Sequence, residues 1–472
     1  MTRRLGGPLA ALLVLTGCAS TAESTDAWPA PDPSRPVVDL TFVVAPDLRS
    51  VDGRETVAFT PDRDVCELVF RAWPNKPATA AFGNSLEVVD VRVDGTRSAP
   101  VVAAAGAPEG RPGTLVEVPL LECVPAGETV RAELTFTVTL GEGTDERVGV
   151  ASTGDAAWFA TAFPLLAWER ERGWATDPAV DVVGEMATSE TFDLARLTVV
   201  APSEYAVLGT GAVESTEEGA TAGSTVHRFS DPAVRDVAVT VGDLDVVHRT
   251  ADGVQVHLGT PRTGTRSSVD RWLEAIEAAI RDLTAHLGPF PYSDLWVTVV
   301  PDQTDGLEAA GAIQFGDLDL AEDGWLVTHE VAHMWFYGLV GNNQAAHPWL
   351  DESFATYAQA LVDGEDLSRT PVPPRAEDRV GQPMTAWAEH ERPSAAYVAG
   401  IYTAGGSALL DARRRAGPQQ FEDAVRQYLR DNAHRVAEPD DVAAAFAHLP
   451  AAVDVLREAG AFGPATTTDQ VS

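Results

Sequence analysis

Between Val37 and about Val247, apolar and polar positions alternate in short runs or form brief apolar blocks of strand length. Glu67-Leu68-Val69-Phe70-Arg71-Ala72-Trp73 and the run from Glu133 to Leu140 are typical. Asp-Gly and Gly-Glu pairs punctuate these runs and helical spacing is scarce, so the pattern predicts a large domain of antiparallel strands. The period changes after Asp245. A short strand over Val254–Leu258 precedes Ser267–Leu287, where Val269, Trp272, Leu273, Ile276, Ile280, Leu283 and Leu287 recur at spacings of three and four. That spacing lays one apolar stripe along an amphipathic helix. A further strand is predicted over Leu295–Val300, and helices near 322–338, 351–363, 402–416 and 418–431. The expected organisation is two folded domains: 37–247, rich in β structure, and 248–472, mixed and then helical.

The first 36 residues belong to neither domain. Met1-Thr2-Arg3-Arg4 is basic, and the apolar run that follows ends at Leu15-Thr16-Gly17-Cys18. Such a run is too short for a permanent span, which needs about 20 apolar residues. Its ending looks like a bacterial lipobox. Residues 1–18 are therefore expected to be a lipoprotein signal peptide, with Cys18 as the lipid attachment site. An ordinary cleaved signal peptide is the alternative. Residues 19–36, rich in Ser, Thr, Ala, Asp and Pro, read as a flexible tether. The expected location is the outer face of the bacterial cell membrane, held by the lipid anchor alone.

Composition narrows the function classes. Lys and Arg total 34 against 70 Asp and Glu, a formal charge of -36, and Lys76 is the sole lysine. A surface of that sign repels phosphate backbones, so nucleic acid is not an expected partner. Export permits disulfides. With Cys18 acylated, Cys66 and Cys123 remain, either bridged or as two buried thiols. Neither lies in the half that carries the chemistry, so no cysteine nucleophile is expected.

That chemistry is concentrated in His329-Glu330-Val331-Ala332-His333. Residues four apart share a helix face, so both imidazoles can point at one metal ion, with the Glu330 carboxylate beside them to take a proton from water. Glu352 follows His333 after 18 intervening residues and opens the next predicted helix, within Trp349-Leu350-Asp351-Glu352-Ser353-Phe354-Ala355. Two histidines and one carboxylate leave a zinc position open, as a catalytic site requires. A carboxylate buried among Trp335, Phe336, Trp349 and Phe354 is costly without a cation, which favours the metal reading.

These motifs resemble those of the zinc aminopeptidases of the aminopeptidase N type, a gluzincin family. Its pattern is a His-Glu-x-x-His helix, 18 residues, and a Glu within a Trp-Leu-Asn-Glu-Gly-Phe-Ala-like stretch. The resemblance implies His329, His333 and Glu352 as ligands of one catalytic zinc and Glu330 as general base. Asp351 and Ser353 replace the family's Asn and Gly. Glu308, in Asp305-Gly306-Leu307-Glu308-Ala309, matches the Gly-x-Met-Glu-Asn element whose Glu holds the substrate's α-amine, although Asp305, Leu307 and Ala309 depart from it. Tyr402, in Tyr402-Thr403-Ala404-Gly405, matches the oxyanion-binding tyrosine, with Ala404 replacing the usual Lys. Tyr397-Val398-Ala399-Gly400 is a rival with the same local pattern.

The resemblance implies a multidomain fold, an N-terminal antiparallel β saddle domain followed by a thermolysin-like α+β zinc peptidase domain. It is that of a short member lacking the large C-terminal helical domain, with more open substrate access. The implied activity is removal of N-terminal residues from peptides with a free amine. A zinc endopeptidase without that requirement is the alternative, followed by a non-enzymatic surface binding protein on the same fold. Nothing in the sequence supports the epoxide hydrolysis of one bifunctional relative.

Overall fold

The computed structural model describes residues 27–462, apart from 142, 146, 184–187, 304, 366 and 368–376. The expected signal peptide, Cys18 and residues 19–26 of the tether lie outside the described residues. Residues 27–36, expected to be part of the flexible tether, are instead docked, Trp28 Nε1 donating to the Pro289 carbonyl at 2.8 Å and Arg35 Nε to the Pro232 carbonyl at 2.9 Å. Among the described residues no helix is long and apolar enough to cross a membrane.

The first half is built from β-sheets. An eight-stranded sheet runs in the order Ala212–Glu218, Ser224–Val234, Phe192–Pro202, Val37–Val44, Ser50–Phe59, Val130–Thr139, Ser85–Val93 and Thr96–Ser98. Its pairings are antiparallel except for Val37–Val44 with Phe192–Pro202. Val130–Thr139 alternates buried and exposed along its length, and Ser50–Phe59 does so with few lapses. Each therefore turns one face inward, as the period-two pattern requires. A five-stranded sheet, a four-stranded sheet and the two-stranded ribbon of Trp168–Glu169 with Gly173–Trp174 make up the rest of the sheet structure described in this half. Phe42 on the large sheet meets Phe159 on the five-stranded one edge to face at 5.2 Å. Cys66 and Cys123 form a disulfide between the neighbouring strands Val65–Arg71 and Leu115–Val124.

The strand Leu244–Ala251 runs across position 247 and pairs with Val254–Pro261 in the second half's sheet. The sheets therefore change hands at Asp243, slightly before the boundary read from the sequence. That second sheet has the order Leu244–Ala251, Val254–Pro261, Asp294–Val299, Ala312–Phe315, Gly306–Ala309. The last strand is an edge, joined antiparallel to Ala312–Phe315 through Ala310 and Gly311. Gly311 has φ +69°, a left-handed conformation that suits so tight a hairpin.

Helix Val269–Leu287 begins where the periodicity placed it. The Ser268 hydroxyl accepts from the Arg271 N–H as an N-cap, and Gly288 at φ 109° ends the helix. Its stripe of Trp272, Leu273, Ile276, Ile280, Leu283 and Leu287 is fully buried, each side chain contributing about 1.5–3 kcal/mol of burial. It packs beside helix Gly324–Ala332. That helix stops well short of the predicted 338. After Ala332 the chain tightens into a loop in which Gly338, Leu339 and Val340 donate back to His333, Met334 and Trp335. Tyr337 takes φ 111° there. Helix Glu352–Asp363 closes at Gly364 in the left-handed region, φ 70°. The predicted helix 402–416 is two pieces, a π-helical segment Val398–Gly405 running into α-helix Gly406–Ala416.

Candidate active site

His329 lies in the last turn of Gly324–Ala332, and His333 occupies the position that ends it, still one turn on along the same face. The His333 Nδ1–H donates to the Phe336 carbonyl at 3.0 Å, which leaves Nε2 as the ring nitrogen available to a metal ion. Glu352 is the first residue of the next helix. The Asp351 side chain accepts the Glu352 backbone N–H at 2.7 Å, so Asp351 performs the capping its position demands.

Three donor atoms converge. His329 Nε2 and His333 Nε2 are 3.2 Å apart, and each is 3.4 Å from Glu352 Oε2. Tetrahedral ligands at zinc distances of about 2.0–2.1 Å stand about 3.3 Å apart. Glu352 Oε2 is buried without a hydrogen-bond partner of its own, an oxygen left for a cation. The residues therefore fit a zinc ion. Burial opposes ionisation of Glu352, but the His329 and His333 imidazoles outweigh it and hold the carboxyl at about 2. Burial also opposes a proton on His333, yet Glu308, Glu352 and Glu330 raise its pKa well above the ordinary value. The site is a focus of negative potential.

Glu308 sits on the edge strand Gly306–Ala309, 5% exposed, with Oε1 unpartnered. Burial pushes its carboxyl up to about 7, partly offset by His333. Ligating atoms of Glu308, Glu330 and His333 all lie within 4.8 Å of one another. Tyr402 OH donates to Glu352 Oε1 at 2.6 Å, and its ring stacks near His329 at 5.7 Å. Burial and then Glu352 raise its pKa, so the phenol keeps its proton and remains a donor. Tyr397 is buried behind it, ring to ring at 5.8 Å, away from the cleft.

Tyr402 owes its place to the π-helical segment. Ser353 Oγ donates to the Ile401 carbonyl at 2.7 Å, and a Cβ on Gly405 would stand 2.0 Å from Ser353 Oγ. Ser353 thus docks this segment against the metal-site helix, and Gly405 leaves the space.

His329, His333, Glu352, Glu330, Glu308 and Tyr402 line one cleft of about 280 Å³. Trp325, Leu326, Val183 and Val398 form its apolar mouth, and Trp325 is 44% exposed. Two larger hollows hold none of the six. Among the remaining histidines, His390 is held by Asp378 at 3.1 Å. His347, His434 and His448 join no metal-ligating group among the described residues. The sequence reading missed the cleft mouth and the buried pair Arg235 and Asp236. That pair could have been noticed as two charges inside the apolar stretch Val234–Val239.

Comparison with known proteins places this geometry. Residues 288–458 match the family described as the Peptidase family M1 domain. Aminopeptidase M1-C from Oryza sativa subsp. japonica is 26% identical over 279 residues, 52% of this chain and 31% of that protein. The match thus spans about a third of its rice relative. The crystal structure of an M1 zinc metallopeptidase from Deinococcus radiodurans covers 91% of this chain, with 94% of its own chain aligned, a TM-score of 0.64 and 19% identity. A mutant of that peptidase bound to a Tyr-Ser-Ala substrate aligns at TM-score 0.65 and 19% identity, over 93% and 97% of the two chains. At these identities the structural likeness establishes the fold.

Proposed function

We propose that this chain, whose residues 288–458 carry a peptidase M1 domain, is a zinc-dependent aminopeptidase that releases the N-terminal residue of peptides. The observation that carries the reading is Glu308. A buried carboxylate with a lone oxygen, beside a metal-binding triad and open to the same cleft, is a receptor for an ammonium group. Its distance from the triad fixes the cut one residue from the amine.

When bound, zinc lowers the pKa of water and polarises the scissile carbonyl. The Glu330 carboxylate takes the proton released as water attacks and returns it to the departing amine. The Tyr402 hydroxyl donates to the oxyanion as the carbonyl becomes tetrahedral. Glu308 pairs with the α-ammonium and holds the bond in register. Trp325, Leu326, Val183 and Val398 cover the substrate with apolar surface and exclude water.

The test is hydrolysis of two fluorogenic peptides that differ only in N-acetylation, with and without chelator. Cleavage of the free-amine peptide alone, lost with chelator, is the expected result. Equal cleavage of both would make this an endopeptidase. Zinc binding with no turnover would make it a binding protein.

The N-terminus extends the reading to a location. Residues 1–18 act as a lipoprotein leader, and acylated Cys18 holds the enzyme on the outer face of the membrane. The disulfide between Cys66 and Cys123 supports an oxidising compartment. Cys18→Ser is expected to release the protein from the membrane fraction; unchanged fractionation would remove the anchor.

A further inference from the structure

Two adjacent charged residues of the β domain reach into the catalytic half. Arg235 is 3% exposed and Asp236 0% exposed, immediately before the strand Ala238–Gly242. The Arg235 guanidinium donates to the carbonyls of Gly338, Leu339 and Arg435. A Cβ on Gly341 would stand 2.4 Å from that guanidinium, so the chain runs flush against it.

Asp236 reaches two other pieces of the catalytic half. Its Oδ1 accepts the backbone N–H of Ala310 at 2.8 Å, in the turn of the hairpin that carries Glu308. Its Oδ2 accepts Tyr337 OH at 2.7 Å, in the loop that follows the ligand His333. The same oxygen takes the Thr161 hydroxyl at 3.3 Å, and Arg147 NH1 donates to Thr161 Oγ1 at 2.5 Å. Thr161 and Arg147 belong to the β domain. One buried carboxylate therefore ties the amine-binding hairpin and the end of the metal helix to a common frame.

We infer that Asp236 is a positioning residue of the β domain, which sets the separation between the ammonium-binding Glu308 and the metal-binding residues through its bond to the Ala310 N–H. This rests on the aminopeptidase reading given above. A carboxylate suits the task because it accepts from several donors at once, and charge-assisted bonds are the strong ones. Without it, the Ala310 N–H would be a buried donor with no acceptor and the hairpin would shift to find one. Glu308 moves with that hairpin, two residues away. Glu330, His329 and His333 lie on helix Gly324–Ala332 or at its end; that side loses only the Tyr337 bond, and His333 keeps its own bond to the Phe336 carbonyl.

The consequence is selective. Asp236→Ala is expected to raise KM for free-amine peptides about tenfold or more while kcat changes little and zinc content stays the same. Discrimination against the N-acetylated peptide should shrink in parallel. Asp236→Asn, whose amide oxygen can still accept from Ala310, should recover much of the KM. Tyr337→Phe keeps the Ala310 bond and should lower thermal stability without moving KM.

Hydrogen exchange supplies a readout independent of turnover. In Asp236→Ala, amides of the hairpin 306–315 should exchange faster while helix Gly324–Ala332 keeps its protection. Unchanged hairpin exchange, or a fall in kcat and active fraction at constant KM, overturns the positioning role and leaves Asp236 as a stabiliser of the fold. Equal cleavage of free and acetylated peptides by the wild type sinks the aminopeptidase reading itself, and this positioning role in amine recognition with it. The hairpin exchange of Asp236→Ala then reports separately whether the brace exists.

Discussion

At the scale of single residues the site divides into groups that bind and groups that move protons. Glu330→Gln keeps the shape and removes the base, so kcat is expected to fall by about 10²–10⁴ with zinc content unchanged by elemental analysis. Activity near that of the wild type would remove Glu330 from the reaction. Glu55 is a different case. It lies in the β domain, 2% exposed, both oxygens without a hydrogen-bond partner, and burial raises its pKa well above the ordinary 4.5. The folded state holds the proton that the unfolded chain gives up, so this contribution to stability is complete below about pH 4.5 and is lost as pH rises through the folded-state pKa. Glu190 behaves likewise, since burial raises it to about 7 although Arg170 opposes the shift. The melting temperature should therefore decline between about pH 4.5 and 7, and Glu55→Gln together with Glu190→Gln should flatten that slope. A slope identical in wild type and double variant would place the pH dependence elsewhere. That His329 and His333 face the same way was legible because residues four apart share a helix face, whereas the approach of Glu352, on the next helix, was legible only through the resemblance. Asp236 shows in the sequence only as a charge in an apolar stretch; its role does not, because its partners Ala310 and Tyr337 are 74 and 101 residues away and no local period marks them.

At the scale of elements, beginnings were more legible than ends. Ser268 and Gly288 bracket the helix Val269–Leu287 by chemistry that is local and readable. The helix of His329 was expected to continue because Met334, Trp335, Phe336 and Tyr337 prolong the apolar run. It ends at Ala332 because tertiary packing buries all of those side chains from an irregular loop. The π-helical segment was equally hidden, since a one-residue widening leaves no mark on a periodicity of three and four. Its position depends on the fit of Gly405 to Ser353. Gly405→Ala is expected to destabilise the protein by about 1–3 kcal/mol through overpacking and to lower kcat by shifting Tyr402. Adding Ser353→Gly clears the space and should recover part of the loss. A single variant as stable and active as wild type would show that the segment yields without consequence.

At the scale of the whole molecule, charge and connectivity dominate. A net charge of -36 surrounds a cleft that is itself negative, so cationic peptides should be captured faster at low salt. The ratio of kcat/KM for an N-terminal Arg peptide to that for a neutral one is expected to fall as ionic strength rises past the roughly 10 Å Debye length at 0.1 M. A ratio indifferent to salt would confine electrostatics to the cleft. The two-domain division was legible from the change of period near Asp245, because sheet and helix leave different repeats. How the domains grip each other was not legible, since Arg235 and Asp236, like Arg172 with Glu438 and Asn343 with Glu169, find their partners across the halves only after folding.

The edge strand Gly306–Ala309 has a consequence for the guest rather than the host. The strand is last in its sheet among the described residues, so one side is open to pairing with a further strand, and its residues Gly306 and Glu308 line the cleft. On the aminopeptidase reading, a peptide laid along that edge would be recognised through its backbone before its side chains are sampled, and substrates would be sorted by conformation. Flexible, unfolded ends would enter, termini already wound into helices or paired in sheets would be refused, and a proline at a position that must donate to the ladder would halt trimming and leave a blunt, resistant stub.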